Sequence, residues 1–456
     1  MDSKSTMIIA AVLIAVIAIA AAAIFMSNQD NSGGEEETSI GVALPVYGNA
    51  DLDSDIDNDD LKIIEKIIAG NDGYTLASYP FADANKDGKV DSQDSAIVKK
   101  IINKESTTVY HLNYYNDGAV NVKTKIVDTK WPCEDLMVTY NSVMFALTSL
   151  GVDERVVGAT AVGNVSLDKY MYASIMKNAD ALKTSYDSSW NSMMDISSVS
   201  KIMLDHPNAH TMFVSAYGQY DVYNEAEVEK VGCDVVRLCE SNPTRDETLA
   251  SVLLAGFLTN TLDRAKELTA MYSEIWDACT KISSNLPTEE KVGYVVTAGS
   301  TTMAGTNNQH GYKCLLAGGK SVLGTENQAP GTWMLEDEYN KNIDKILIVA
   351  WSNANNGFFF GDHELNPDSI LANYTEGDTE TVWEMTDAWK NKEVYVVYGD
   401  FPTAFDLLAR GYAMYPDYFG SLYEESCSKL LKFISNGEFA GKDIKFVYSL
   451  SDLENY

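Results

Sequence analysis

Apolar and polar positions follow two different periods along this chain, and each change of period marks an element. Six short runs rich in β-branched residues, at 136–140, 211–215, 234–238, 291–297, 345–350 and 393–398, have the length and continuity of strands buried on both faces. Stretches with helical spacing separate them, so the order predicts α/β layers on mostly parallel sheets. Residues 261–283 contain neither proline nor glycine, and Asp263, Lys266 and Glu267 give them polar faces. One long helix is predicted there. Upstream, 61–68 and 95–102 carry apolar pairs at i, i+1, i+4 and i+5, a single helical stripe. Met7 to Met26 holds no charge at all, and about 20 apolar residues at ~1.5 Å rise each are enough to cross a bilayer.

Charge narrows the function classes. The chain has 66 acidic and 34 basic residues, a formal charge of −32, which repels nucleic-acid phosphates and anionic membrane surfaces. No nucleic-acid role is supported. The six cysteines form no C-x-x-C pair and no zinc spacing. Cys233 and Cys239 bracket a strand and would stand about 20 Å apart, too far to bond, so buried thiols are expected. A short polar head with Lys4 precedes the apolar run, and no cysteine occurs before Cys133 to take a lipid. Residues 1–27 therefore read as a membrane anchor with the bulk of the chain outside the cytoplasm, cleavage near 20–23 being the alternative. Residues 28–38 have no apolar residue to bury, and 28–44 read as a flexible linker.

Two acidic stretches 34 residues apart, 49–60 and 83–94, place oxygen side chains at loop positions 1, 3, 5, 9 and 12. In the first these are Asn49, Asp51, Asp53, Asp57 and Asp60; in the second Asp83, Asn85, Asp87, Asp91 and Asp94. Position 7 gives a main-chain carbonyl, from Asp55 and Lys89. This spacing suits a hard cation such as Ca²⁺, which takes about six to eight oxygens. Each loop runs straight into one of the striped helices, but proline and glycine stand where an EF-hand would have an entering helix. Gly88 occupies the sharp-turn position 6 of the second loop and Ser54 that of the first, so a left-handed Ser54 would weaken the first site. A duplicated loop and helix ending in basic residues such as Lys99 and Lys100 resembles a type I dockerin across 45–104. That resemblance implies two structural calcium ions and a cohesin partner contacting Asn58, Asp59, Ser92 and Gln93.

The region 105–456 carries a second resemblance. The segment 149–158 (SLGVDERVVG), the helix, glycine and strand of 228–238, the entry to the long helix at 254–268, and 387–397 (DAWKNKEVYVV) stand in order. Together they resemble class III substrate-binding proteins of ABC importers, which serve ferric siderophores, haem and cobalamin. The implied fold is α/β: two Rossmann-like lobes, about 105–260 and 287–456, joined by an interlobe helix at about 261–284. A small all-α dockerin-like module and an N-terminal transmembrane helix precede them.

Ligands in such folds approach the carboxyl ends of parallel strands. The loops there supply Tyr140, Asn141, Tyr217, Tyr220, Thr302, Asn307, His310, Trp333, Trp351 and Phe401 as candidate ligand contacts. Flat rings and amides suit a bulky, partly apolar chelate or macrocycle, and His310 is a candidate ligand to haem iron or corrinoid cobalt. The resemblance places permease-docking carboxylates at Asp195 and Glu336. No G-x-S-x-G, H-E-x-x-H or Walker loop occurs in 105–456, so no enzyme is expected. A dockerin-bearing glycoside hydrolase with paired carboxylates, a structural adhesin, and a calcium-stiffened spacer are the alternatives.

Overall fold

The computed structural model describes residues 41–116, 122–160, 162, 171–186, 192–217, 221–242, 244–297, 303–327, 342–351, 368, 386–434 and 445–455. The apolar run 7–26 lies outside them, as do Tyr220, Thr302, Trp333 and Glu336. Among the described residues no helix is long and apolar enough to cross a membrane.

The first two helices, α1 (Asn58–Ile68) and α2 (Ser92–Ile102), each begin where an acidic loop ends. The Asp57 and Asp91 carboxylates cap them, accepting from the N–H of Asp59 at 2.6 Å and of Gln93 at 2.7 Å. Asp60 and Asp94 reach back to the N–H of Asp57 and Asp91 at 2.7 and 2.8 Å, completing two capping boxes. No helix enters either loop among the described residues. The expected strain at Ser54 does not arise. The left-handed residues are instead Leu52 (φ 62°) and Lys86 (φ 59°) at position 4 of each loop, with Gly88 (φ 89°) at position 6 of the second. What separates the loops is position 1. Asp83 accepts from the N–H of Asp87 and Gly88 at 3.1 and 3.0 Å, whereas the Asn49 amide donates to the carbonyls of Leu44 and Asp53 at 2.9 and 2.8 Å.

A hairpin that the apolar pattern does not reveal follows, β1 (Thr107–Asn116) against β2 (Val122–Trp131). Its inward positions on β1 include His111 and Asn113, both fully buried, so polar residues break the alternation. Each is satisfied. The His111 ring meets Thr129 Oγ1 at 3.0 Å and its pKa is pushed down to about 4 by burial. Asn113 donates to the Val235 carbonyl at 2.9 Å and accepts from the Arg237 N–H at 2.6 Å, acting as a peptide group alongside a strand edge.

The first lobe contains β3 (Leu136–Val138), α3 (Asn141–Ser149), β4 (Val156–Ala159), α4 (Ala173–Asn178), β5 (Asp180–Ala181), the small antiparallel pair β6 (Thr184–Tyr186) and β7 (Ser192–Met194), α5 (Ile196–Asp205), β8 (Thr211–Ser215), α6 (Glu225–Lys230), β9 (Asp234–Leu238) and α7 (Arg245–Leu258). Its main sheet has the order β5-β4-β3-β8-β9 and is wholly parallel. The long helix α8 (Leu262–Asn285) leads to the second lobe. There β10 (Gly293–Thr297), α9 (Gln309–Leu316), β11 (Lys320–Ser321), β12 (Lys345–Ala350), α10 (Asp387–Lys390), β13 (Val394–Tyr398), α11 (Thr403–Met414), α12 (Pro416–Ile434), β14 (Val447–Ser449) and α13 (Leu450–Glu454) follow. The sheet order is β11-β10-β12-β13-β14, parallel except for the edge strand β14. All six runs expected as strands are strands.

Helix α8 packs on α7, α11 and α12 and buries Leu268, Tyr272, Ile275, Trp276 and Cys279. The acidic-loop segment joins this body. Residue 46 bridges His111, the Tyr47 N–H donates to the Tyr110 carbonyl at 2.8 Å, and the Leu112 N–H donates to the Pro45 carbonyl at 2.9 Å. Leu44, Val46, Ile56, Ala84 and Val98 belong to the same apolar cluster as the lobes. All six cysteines are free and buried.

Candidate functional site

The carboxyl ends of β3 and β9 in one lobe, and of β13 in the other, lead into segments that meet. Asn141 at the start of α3 donates to Asp400 after β13, at 3.4 Å. Glu240, just after β9, makes the tighter junction. Its carboxylate accepts from Ser142 at 2.7 Å, and its carbonyl accepts from the Thr403 N–H at 3.3 Å and the Thr403 hydroxyl at 2.6 Å. The first turns of α3 and α11, one from each lobe, therefore converge on one residue. Glu240 is buried, and its Oε2 finds no hydrogen-bond partner.

Burial pushes the Glu240 pKa up to about 7, against the opposing pull of the Ser142 hydroxyl. The folded state thus holds this proton more tightly than the unfolded chain, so stability is full below about pH 4.5 and declines as pH rises toward 7. The loss amounts to roughly 3 kcal/mol at most. Glu240→Gln keeps the acceptor for Ser142 and should flatten this decline, making the variant more resistant to urea at pH 8 than the parent. Identical urea midpoints at pH 8 would show that the buried carboxylate carries no such penalty.

The candidate contacts distribute unevenly around this junction. Tyr140 stands at the end of β3 with φ 67°, a left-handed conformation that costs a tyrosine on the order of 1–3 kcal/mol and that clusters at functional sites. Asn141 and Tyr217 lie beside it on the first lobe, the latter with its N–H on Ser215 Oγ at 3.1 Å. On the second lobe the His310 and Trp351 rings meet edge to face, centroids 5.9 Å apart. Phe401 is instead buried among Tyr398, Phe405 and Phe446, with centroids 4.5–5.8 Å away, and works as core. Asn307 is exposed and donates to Glu326 at 2.8 Å. Asp195 caps α5, accepting from the Ser197 N–H at 3.1 Å.

Beneath His310 lies a charge cluster. Asp406 on α11 pairs with Lys313 on α9 at 2.9 Å and with Arg410 at 2.7 Å, and all three are buried. Arg410 also points a guanidinium nitrogen at His310 Nδ1, 3.1 Å away. Burial and the two cations push the His310 pKa down to about 3, so the ring is neutral. With Nδ1 accepting from Arg410, the proton sits on Nε2. The imidazole therefore carries an N–H at Nε2 rather than a lone pair for a metal.

In the acidic loops carboxylates crowd, and the cations paired with the first of them are Lys266 on Asp55 and Lys62 on Asp59. Burial first, and neighbouring aspartates after it, push Asp60 up to about 8; Asp51 and Asp94 are raised as well. Asn49 is buried, and its Oδ1 has no partner. A divalent cation suits such a donor set, since it neutralises the repulsion and satisfies the orphaned oxygen. No three His, Cys, Asp or Glu residues among those described are gathered into a metal cage, and Asp60 and Asp94 accept from main-chain N–H groups.

No protein-family model and no curated protein matches the chain. Solved structures do. A TroA-like periplasmic binding protein, FepB, from Veillonella parvula aligns with a TM-score of 0.52 over 71% of this chain and 97% of its own, at 16% identity. A periplasmic solute binding protein from the same organism aligns with a TM-score of 0.50 over 73% of this chain and 93% of its own, at 15% identity. The fold is that of a TroA-like periplasmic binding protein. Tyr140, Asn141 and Tyr217 follow strand ends of the first lobe, His310 and Trp351 belong to the second, and Glu240 joins the two. Glu240, Lys313, Asp406 and Arg410 escaped the sequence reading. Treating the loop after 234–238 like the loops after the other strands would have found Glu240.

Proposed function

We propose that this chain is the solute-binding component of an ABC importer, held outside the cytoplasm by the run 7–26, and that its cleft captures an iron complex, siderophore or haem, or a corrinoid. The observation that carries the reading is the pair of parallel sheets whose loops meet across one unbroken helix, α8. A single stiff connection supports small closures about a bulky solute. The aromatic walls favour the faces of such a solute. Because His310 presents an N–H, the chelate arrives with its metal already coordinated and is held whole. Capture, not chemistry, is the mechanism, and Asp195 and Glu336 face the permease. Each acidic loop takes one structural Ca²⁺, and Asn58, Asp59, Ser92 and Gln93, all exposed, are the contacts for a cohesin.

Titration of the full chain with a ferric siderophore, haem and cobalamin, followed by absorbance and native mass spectrometry, tests this. One equivalent of one class is expected to bind, and Trp351→Ala to weaken it on the order of tenfold. Binding of none of the three rejects the importer reading, and release of reducing sugar from glycan favours the hydrolase.

A further inference from the structure

The first acidic loop touches the helix that joins the lobes. Asp55 occupies position 7, which contributes only its carbonyl to a cation, so its side chain is free for another task. That side chain pairs with Lys266, in the second turn of α8, and both are mostly shielded from water. On its other side the same loop is anchored to the hairpin through residues 45–47, which make one antiparallel bridge, Val46 to His111, and main-chain hydrogen bonds with Tyr110 and Leu112. The loop's own geometry asks for a ligand at one point besides its acids: Asn49, fully buried, turns its amide nitrogen onto the Asp53 carbonyl within the loop and leaves Oδ1 without a partner.

We propose that the first acidic loop is a calcium-set clamp on the solute-binding body, in which the loaded loop fixes Asp55 against Lys266 and so holds the interlobe helix to the hairpin. The clamp rests on the reading of the loops as calcium sites. It differs from an adaptor on a tether in its consequence, since metal loss loosens the helix between the lobes as well as the loops. The cation itself would supply charge neutralisation and a fixed loop; Asp55, Lys266 and the bridge at Val46 transmit it. Lys266 is the coupling residue because no other charged side chain of α8 is paired with the acidic-loop segment among the ion pairs of the described residues.

Hydrogen exchange of the full chain in calcium and in chelator, beside calorimetric titration with calcium alone, reads each link separately. In the parent protein, chelation should speed exchange in α8 and in β1 on the order of tenfold. Lys266→Met should still take up calcium but lose the response in α8, and Lys266→Arg should restore it. Calcium uptake with a chelator response confined to 41–104 overturns the clamp and leaves the calcium sites standing. Absence of calcium uptake by the parent overturns both.

Discussion

Asp406→Ala is expected to destabilise the protein by about 3–5 kcal/mol, the range for removing one partner of a buried ion pair, read as a fall in the urea midpoint at pH 7. The variant leaves Lys313 and Arg410 inside α9 and α11 with no carboxylate between them. Against a total of roughly 5–15 kcal/mol this is a large share. A triple apolar replacement, Lys313→Met with Asp406→Leu and Arg410→Met, should recover most of it, because the desolvation of all three charges then disappears together. Loss of the same size in the triple variant would mean that shape, not charge, holds the two helices together.

The same cluster sets an acid limit. Arg410 and Lys313 hold the Asp406 carboxyl below the usual carboxylate range despite its burial, so its contribution is present above about pH 3.8 and is lost as pH falls through its folded value. His310 is depressed to about 3 from 6.5. The unfolded chain takes up that proton first, so stability falls as pH drops from 6.5 toward 3, by a few kcal/mol. His310→Gln should remove that part of the acid sensitivity. Glu240 works in the opposite direction, gaining stability as pH falls from about 7 to 4.5.

Most of the architecture was legible because it rests on continuous apolar runs. Strands such as β12 and β13 are buried on both faces, and nothing polar interrupts them. The capping boxes of α1 and α2 were implicit in the acidic loops, since positions 9 and 12 double as N-cap and N3. The hairpin was hidden by His111 and Asn113, whose burial depends on partners 18 and 122 residues away. Arg237 shows the same limit. It lies inside the run read as a β9 strand, yet is buried between Asp221, Glu225 and the Tyr115 ring, at 2.7 Å, 2.8 Å and 4.2 Å. Neighbouring sequence carries no sign of which acids will close around it. Phe401 was misplaced because an aromatic residue in a loop after a strand has two apolar destinations, cleft or core, and only the packing of α11 decides between them.

Gly256→Ala should cost about 1–3 kcal/mol even though alanine is the better helix former by about 1 kcal/mol. Gly256 lies in the last turns of α7, where the chain reverses into α8. A Cβ there would stand 2.2 Å from the Cβ of Ala265 and 3.3 Å from the Thr261 carbonyl. The reversal is held by the Thr261 N–H on the Gly256 carbonyl at 2.7 Å and by Asn260 with φ 57°, so the two helices have no slack to separate. An added methyl must therefore pivot α8 against α7, and the lobes with it. Ala265→Gly alone is mildly destabilising, but in combination with Gly256→Ala it vacates the space that the methyl needs. The pair should consequently be more stable than the sum of its single changes by more than 0.5 kcal/mol, beyond the scatter of independent sites at about 0.3–0.5 kcal/mol. On the proposed reading as a solute-binding protein, the pivot also predicts that Gly256→Ala weakens solute binding and that the double variant restores it. Strict additivity in a urea double-mutant cycle would mean that the helices yield without strain and that their crossing does not set the distance between the lobes.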